Sequence, residues 1–306
     1  MDKRRIISSN ELWKKLTEGA YQEIINYASK RENDLDVQIR DNYLNIYYQG
    51  GNLLRIHPRT LFFDEFYFHR GAKDLRKTHL IERANDGDKT CIARWETYKK
   101  QRDNMLETLK NDGMGTYSAE MKKIMNEWES DLNTIGISHD EKNEQQQISM
   151  NNRGTTPYTV IDLEYAVSTT SAFSYNGKLE KKVPRFDIIA VDKTGQLYVI
   201  ELKTGLGAID NDSGIGPHMD CFKHTIGRDE NNIFVSEMAG LLKQKKELSL
   251  IDKSIKIDEK KKPLFIFAFS DKPGENLYNN FIDACREKGY NGKVIYLDNS
   301  HQLKDV

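Results

Sequence analysis

The feature that most constrains the fold is a pair of short apolar runs within Pro184–Gly205, PRFDIIAVDKTGQLYVIELKTG. The runs IIAV and LYVI are continuous rather than alternating, which is typical of strands buried on both faces. The DKTGQ between them has the composition of a tight turn. The segment therefore predicts an antiparallel hairpin inside a central sheet.

Folding at this turn brings charged side chains together. Asp187 and Glu201 lie at similar distances from the turn, so we expect them side by side on neighbouring strands. Because side chains alternate along a strand, Glu201 and Lys203 share one face. Two facing carboxylates repel unless a cation lies between them, and their oxygens suit Mg²⁺. Magnesium beside a lysine ammonium predicts phosphodiester hydrolysis.

A simpler interpretation of the same residues is a surface hairpin with a cross-strand salt bridge, which is common and contributes little. The continuous apolar runs argue against it, because charges at the ends of buried strands are costly unless they have a role. We therefore favour the functional interpretation.

At these residues the sequence resembles the PD-(D/E)XK nuclease superfamily, which has the restriction-endonuclease-like fold. On the second and third of three successive strands, the matching residues are Pro184, Asp187, Glu201, Leu202 and Lys203. The resemblance implies that Asp187 and Glu201 are metal ligands and that Lys203 is the catalytic lysine. Two residues separate the proline from the aspartate, which departs from the family pattern. The resemblance covers residues 155 to 300, roughly half of the chain.

Many members of the superfamily add an acidic residue from the preceding helix or strand. Glu164, in VIDLEYAV, is the best candidate for this additional catalytic and metal-binding role, with Asp162 on the same strand face as a weaker one. A helix over 118–132 could supply Glu120 or Glu127 instead.

The family also often carries a glutamine or lysine on the helix after the third strand. Gln244 or Lys243, in LLKQKKEL, takes the corresponding place. Lys243, Lys245 and Lys246 could also bind phosphate, although such a run is more often the solvated face of a helix.

The Gly-rich segment GLGAIDNDSGIGPHMDCFKHTIGRD follows Lys203 directly and predicts a flap over the site. His218 or His224 could contact substrate there, but polar loop residues without a catalytic role are the favoured interpretation. A zinc site is disfavoured because the segment lacks a paired spacing of ligands.

The elements around the hairpin predict the rest of the sheet. A strand YTVIDLEYAV precedes it, and a helix over 232–250, a strand PLFIFAFS, a helix over 275–288 and a strand KVIYLD follow it. A strand–helix–strand unit needs a crossover, so part of the sheet should be parallel. We therefore expect an α/β protein in which residues 151–306 form a restriction-endonuclease-like mixed central sheet flanked by helices.

Residues 1–150 predict a separate α+β region that selects substrate or partner. Ser9 and Asn10 cap a helix of about 20 residues. Strands of period two lie between Asp36 and Ile56, an aromatic strand LFFDEFYFH comes next, and 80–135 has helical composition. The polar stretch 138–154 predicts a linker, which places the boundary at 150/151.

The aromatic hairpins at 43–68 could stack bases and bind phosphates with basic residues in or near them. These basic residues are Arg40, Arg55, Arg59, Arg70 and Lys73. The favoured interpretation is a small sheet whose Phe and Tyr residues form its own core.

Composition excludes several classes of protein. With 46 basic and 47 acidic residues the net charge is −1, so any nucleic-acid contact must be local. No apolar run reaches about 18 residues, which predicts a cytoplasmic protein with no membrane partner. The three cysteines, Cys91, Cys221 and Cys285, are far apart and should be reduced and buried.

Together these observations predict a Mg²⁺-dependent nuclease, with Mn²⁺ as a substitute. DNA is the expected substrate because most of the resembled superfamily cleaves DNA. Cutting both strands of a duplex needs two sites, which a homodimer would supply. The alternative is a non-catalytic module that keeps the nuclease fold to hold nucleic acid or a protein partner.

Overall fold

The computed structural model describes residues 5–63, 87–134, 140–154, 156–167, 173–175, 178–180, 185–203, 214–270 and 274–305. Within these ranges the protein is mixed α/β. The chain forms two compact units. The C-terminal unit comprises Met1–Ile7, Gln38–Asp41 and Glu144–Val306, and the N-terminal unit comprises Ser8–Val37 and Asn42–Asn143. The C-terminal unit thus includes two early segments as well as the C-terminal half of the chain.

The N-terminal unit combines helices with most of a four-stranded sheet. The helices are α1 (Asn10–Thr17), α2 (Gln22–Ala28), α3 (Lys89–Asn111) and α4 (Gly113–Thr134). The strands are β1 (Asp36–Arg40), β2 (Tyr43–Tyr48), β3 (Gly51–Ile56) and β4 (Leu61–Phe62), in the order β1-β2-β3-β4. The strands expected before Ile56 are confirmed, whereas the expected aromatic strand is described only up to Phe63 and its remainder lies outside the described residues.

The prediction of one helix of about 20 residues after Ser9 was wrong. The Ser9 side chain does cap the helix by accepting from the backbone N–H of Leu12, but α1 ends at Thr17 and α2 begins at Gln22. Gly19 lies in the break, where an added Cβ would come within 3.0 Å of the Lys15 Cα. The chain thus turns back against the last turn of α1, which a straight helix could not do.

The C-terminal unit is built on a six-stranded mixed sheet. Its strands are β5 (Tyr158–Ala166), β8 (Arg185–Asp192), β9 (Leu197–Lys203), β10 (Leu264–Phe269), β11 (Val294–Leu297) and β12 (Leu303–Lys304), in the order β12-β11-β10-β9-β8-β5. β5, β8 and β9 are antiparallel, whereas β9, β10 and β11 are parallel. The expected parallel pairing is therefore confirmed. A separate hairpin of β6 (Phe173–Tyr175) and β7 (Lys178–Glu180) was not predicted.

Helices cover both faces of this sheet. They are α5 (Asp140–Asn151), α6 (Ile215–His224), α7 (Ile233–Glu247) and α8 (Asn276–Glu287). One face is mainly aliphatic and includes Ile188, Ile200 and Ile266. The other is aromatic, where Phe267 and Phe269 pack with residues of α6 and α8.

The prediction of a polar linker over 138–154 was wrong. Residues 140–151 form α5, and Ile148 on this helix belongs to the aliphatic core. Several of its polar side chains are buried, and Ser149 and the following residue Asn152 have partners distant in sequence. Gln38 donates to the Ser149 hydroxyl at 2.9 Å, and Asn152 accepts from the backbone N–H of Leu303 at 3.1 Å. These bonds satisfy the buried groups that make them, so this part of the chain packs into the core despite its polar composition.

The flap expected after Lys203 is also partly wrong. Residues 204–213 lie outside the described residues, but 215–224 form α6, whose Ile215 and Met219 pack into the aromatic core. Among the described helices, none combines the length and apolar character needed to cross a bilayer.

Candidate functional site

The β8–β9 hairpin sets the register of the candidate site. Ile188 lies opposite Ile200 and Val191 opposite Leu197, so one further step places Asp187 opposite Glu201. The turn is fixed by Asp192, whose Oδ1 accepts from the backbone N–H groups of residues 194 and 196 at 2.8 and 3.0 Å. Pro184 lies outside the described residues.

Lys203 and Glu201 form a buried ion pair. The Lys203 Nζ lies 3.0 Å from Glu201 Oε1, and the two side chains are 5% and 4% exposed. They stand opposite Phe269 and Phe267 of β10, on the aromatic face of the sheet. Taking two charges out of water costs several kcal/mol per ion, so roughly that amount of compensation is needed from this pair and its neighbours.

His218 on α6 is the third member of this cluster. Its Nε2 lies 3.0 Å from the same Glu201 oxygen, and its side chain is mostly buried. The favoured prediction for His218 was a polar loop residue without a catalytic role, with substrate contact as the alternative. The predicted loop is wrong, because His218 lies on α6. The apolar spacing of Ile215 and Met219 was a signal that this segment is a helix, and the helix turns His218 toward Glu201.

Asp187 is held from both β9 and α5. Its Oδ2 accepts from the backbone N–H of Leu202 at 2.9 Å, and its Oδ1 lies 3.4 Å from the Nε2 of Gln145 on α5. Gln145 was not predicted as a site residue, because its polar segment was expected to be a linker. Asp187 remains partly exposed, unlike Glu201.

The electrostatics of the cluster are dominated by burial. Burial raises the pKa of Glu201 well above its usual range, the neighbouring Asp187 charge raises it further, and the Lys203 ammonium opposes the rise. Glu201 Oε2 is buried and has no hydrogen-bond partner among the described residues. A buried carboxylate oxygen without a partner is costly, and a cation would satisfy it.

Glu164 stands beside this cluster in the ladder, and its carboxylate has Arg185 as a partner. It falls between the pairs Leu163–Ile188 and Tyr165–Phe186, opposite Asp187. Its φ of +49° distorts the strand, and its exposed carboxylate lies 3.8 Å from the guanidinium of Arg185. The structure therefore gives Glu164 the expected strand position and an arginine as a side-chain partner.

Asp162 is a fully buried carboxylate held by two arginines. Its Oδ1 accepts from Arg40 at 2.7 Å, and its Oδ2 lies 3.4 Å from the Nε of Arg5. These contacts neutralise its charge and tie two early segments of the chain to β5.

The candidates on α7 have other partners. Gln244 donates to the backbone oxygen of Ile7 and accepts from its N–H, so it anchors the N-terminal segment. Lys245 is buried, and its Nζ donates to Gln38 at 2.8 Å. Lys243 is exposed on the solvated face.

The remaining candidates are exposed. Glu120 and Glu127 lie on the solvent-facing side of α4, and His224 ends α6. Among the described residues, no group of three or more His, Cys, Asp and Glu side chains is placed to hold one metal ion.

Two of the three cysteines are confirmed as free and buried. Burial raises the pKa of Cys221 and of Cys285 to about 12, so both thiols stay protonated and are poor nucleophiles. The Cys91 side chain lies outside the described residues.

Comparison with known proteins found no matching family model, no matching curated protein and no matching solved structure.

Proposed function

We propose that this protein is a Mg²⁺-dependent nuclease of the PD-(D/E)XK type, with a restriction-endonuclease-like fold and DNA as its substrate. The observation that carries the proposal is the clustering of Asp187, Glu201 and Lys203 on two neighbouring strands, with the lysine ammonium 3.0 Å from a glutamate oxygen. The mixed order of antiparallel and parallel strands around this hairpin is consistent with the proposed fold.

The residues present fit a divalent cation. The buried Oε2 of Glu201 has no hydrogen-bond partner among the described residues, and the Asp187 carboxylate lies near enough to raise the Glu201 pKa. Magnesium is commonly held by only one or two carboxylates together with waters and substrate phosphates. Asp187 and Glu201 would hold it. Glu164 would be a third ligand only after leaving Arg185.

When bound, Mg²⁺ would neutralise charge on the phosphate and favour ionisation of a water molecule. Lys203 would donate to the phosphate oxygen that gains charge, since its ammonium is already fixed beside Glu201. Gln145 and the Leu202 backbone would keep the Asp187 carboxylate oriented. His218 would hold the Glu201 side chain from the α6 side.

The test is incubation with supercoiled plasmid, linear duplex, single strands and RNA, with Mg²⁺, Mn²⁺ or EDTA. We expect metal-dependent cleavage of DNA. Asp187→Ala and Lys203→Ala should each reduce it by about 100-fold or more, the usual effect of losing one group that stabilises the transition state.

Lys193→Ala is the matched control, because Lys193 is an exposed lysine in the turn of the same hairpin. It should cleave like the unaltered protein. Undiminished nicking by pure Lys203→Ala or Asp187→Ala would contradict the mechanism. Binding without cleavage under all metal conditions would favour the non-catalytic module instead.

A further inference from the structure

One face of the N-terminal sheet carries a set of aromatic and cationic side chains that we call the aromatic face. Its members are Tyr43, Asn45, Arg55, His57 and Phe62. Asn45 lies opposite Arg55, which in turn lies opposite Phe62 on β4. Because opposite residues of an antiparallel pair point to the same side, these side chains share one surface.

The core of this sheet does not depend on those rings. The alternating positions Leu44, Ile46, Leu54 and Ile56 are fully buried and form an aliphatic inner face. The favoured expectation, that the Phe and Tyr residues of these strands form the core, therefore fails for Tyr43 and Phe62. Phe62 is 46% exposed, and a large apolar ring in solvent contributes little to stability there.

The rings of the aromatic face pack against one another. Tyr43 and His57 stack with centroids 4.8 Å apart and planes 11° apart, and Phe62 meets His57 edge-on at 5.4 Å. Burial, with the nearby Arg55 charge, lowers the His57 pKa, which keeps this ring neutral at neutral pH. Side chains held in this way lose little freedom when a planar ligand binds.

Positive charge lies in the same surface. The Arg55 guanidinium sits 5.3 Å from the Tyr43 centroid, and its Nε donates to Asn45 at 3.0 Å. Arg59 follows His57 after one residue and is exposed. Glu11 is paired with Lys15 at 2.7 Å, and this pairing lowers the Glu11 pKa with a smaller contribution from the Arg59 charge.

We propose that the aromatic face binds single-stranded nucleic acid by stacking unpaired bases on Phe62 and the Tyr43–His57 pair. Arg55 and Arg59 contact the phosphates. Bases of any sequence present a planar face, so stacking on exposed rings combined with arginine charge suits this ligand. The choice of nucleic acid over another planar ligand rests on the proposed function, whereas the binding surface itself does not depend on cleavage.

The test is fluorescence anisotropy with labelled oligo-dT and oligo-U of about 12 nucleotides, a length within the usual range of such surfaces. EDTA is present throughout, so that binding is measured without cleavage. We expect Phe62→Ala to weaken binding by about 5- to 100-fold, which is the usual contribution of stacking on one base. Phe62→Trp should restore it. The difference between the two oligonucleotides shows whether DNA or RNA is preferred.

Arg55→Met should lower the slope of log affinity against log salt by about one, because one phosphate contact is lost. Ile92→Ala is the matched control, since Ile92 is an exposed apolar residue on α3 of the same unit. Its affinity should not change. Circular dichroism checks that each variant is folded.

Equal affinity of Phe62→Ala and the unaltered protein, or no binding of either oligonucleotide, would overturn the inference. Binding that requires Phe62 in a protein that cleaves no substrate would overturn the proposed function and leave the aromatic face standing. Cleavage of DNA by a protein whose binding does not depend on Phe62 would support the proposed function and overturn the role of the aromatic face.

Discussion

Two hairpins of this protein use similar strands for different purposes. β2–β3 and β8–β9 are both antiparallel, and both bury aliphatic side chains on one face. They differ on the other face. That of β2–β3 is partly exposed and carries Tyr43 and Arg55, whereas that of β9 is buried and carries Glu201 and Lys203.

The difference shows how solvent decides what a charged side chain can do. Arg55 remains hydrated, so it can exchange water for a ligand at low cost. Glu201 and Lys203 have lost their water, so their charges must be compensated by each other and by neighbours. The buried hairpin should therefore respond strongly to single substitutions, and the exposed one weakly.

The largest effect should come from Lys203→Met, which keeps the length of the side chain but removes its charge. The substitution leaves Glu201 without its ammonium partner. The free energy of unfolding of the unit that contains β8 and β9 should therefore fall by about 3–5 kcal/mol at neutral pH. Hydrogen exchange of the β8 and β9 amides measures this loss in the C-terminal unit.

The control for this change is Lys193→Met in the exposed turn, which should have little effect. Adding Glu201→Gln to Lys203→Met should recover part of the loss, because no buried charge is then unpaired. A loss of equal size in both lysine variants would mean that the Glu201–Lys203 pair is unimportant.

Gly195→Ala should have the next largest effect. Gly195 has φ +82°, and an added Cβ would lie 2.7 Å from the backbone nitrogen of Asp258. We expect destabilisation of about 1–3 kcal/mol, because alanine is strained in this conformation and the neighbouring loop must move. Urea denaturation followed by circular dichroism measures the change. An unchanged midpoint would show that the turn is not needed to hold the register.

The ionisation of Glu201 should make the stability of the protein depend on pH, which is a smaller effect. Its folded pKa is raised, so between pH 4.5 and that pKa the unfolded chain binds fewer protons than the folded one. Stability therefore falls as pH rises through this window, by at most about 1.4 kcal/mol per pH unit. Glu201→Gln should remove the fall. Urea denaturation in EDTA at several pH values in this range measures the stability of the unaltered protein and of Glu201→Gln. Parallel curves of stability against pH for the two proteins would contradict the raised Glu201 pKa.

The smallest effect is expected on the exposed hairpin. Phe62→Ser should change stability by less than about 0.5 kcal/mol, because Phe62 is already 46% exposed. All three tryptophans, at 13, 95 and 128, belong to the N-terminal unit, so tryptophan fluorescence reports its unfolding. A loss of several kcal/mol would mean that Phe62 has a packing role, and the two hairpins would no longer differ.

The parts of the fold predicted from sequence are those set by local patterns. The continuous apolar runs around Asp192–Gln196 predict the β8–β9 hairpin, and its symmetry about the turn predicts Asp187 opposite Glu201. The strand–helix–strand order predicts the parallel pairing of β10 with β11. Each of these follows from residues close together in the chain.

The parts that were missed depend on distant partners. The helix α5 is polar in composition, and its burial depends on bonds such as Gln38 to Ser149. Glu164 has a left-handed conformation and an arginine neighbour that a strand pattern does not reveal. Gln244 matches a family position, but its amide instead holds the backbone of Ile7.

The most direct test of the central claim is a Mn²⁺ titration followed by electron paramagnetic resonance, which counts bound metal without requiring cleavage. We expect the unaltered protein and Lys193→Ala to bind Mn²⁺ alike and Mg²⁺ to displace the bound Mn²⁺. Asp187→Asn and Glu201→Gln should each lose the site. Equal Mn²⁺ binding by Asp187→Asn and the unaltered protein, or no binding by the unaltered protein, would contradict a metal site at these two carboxylates.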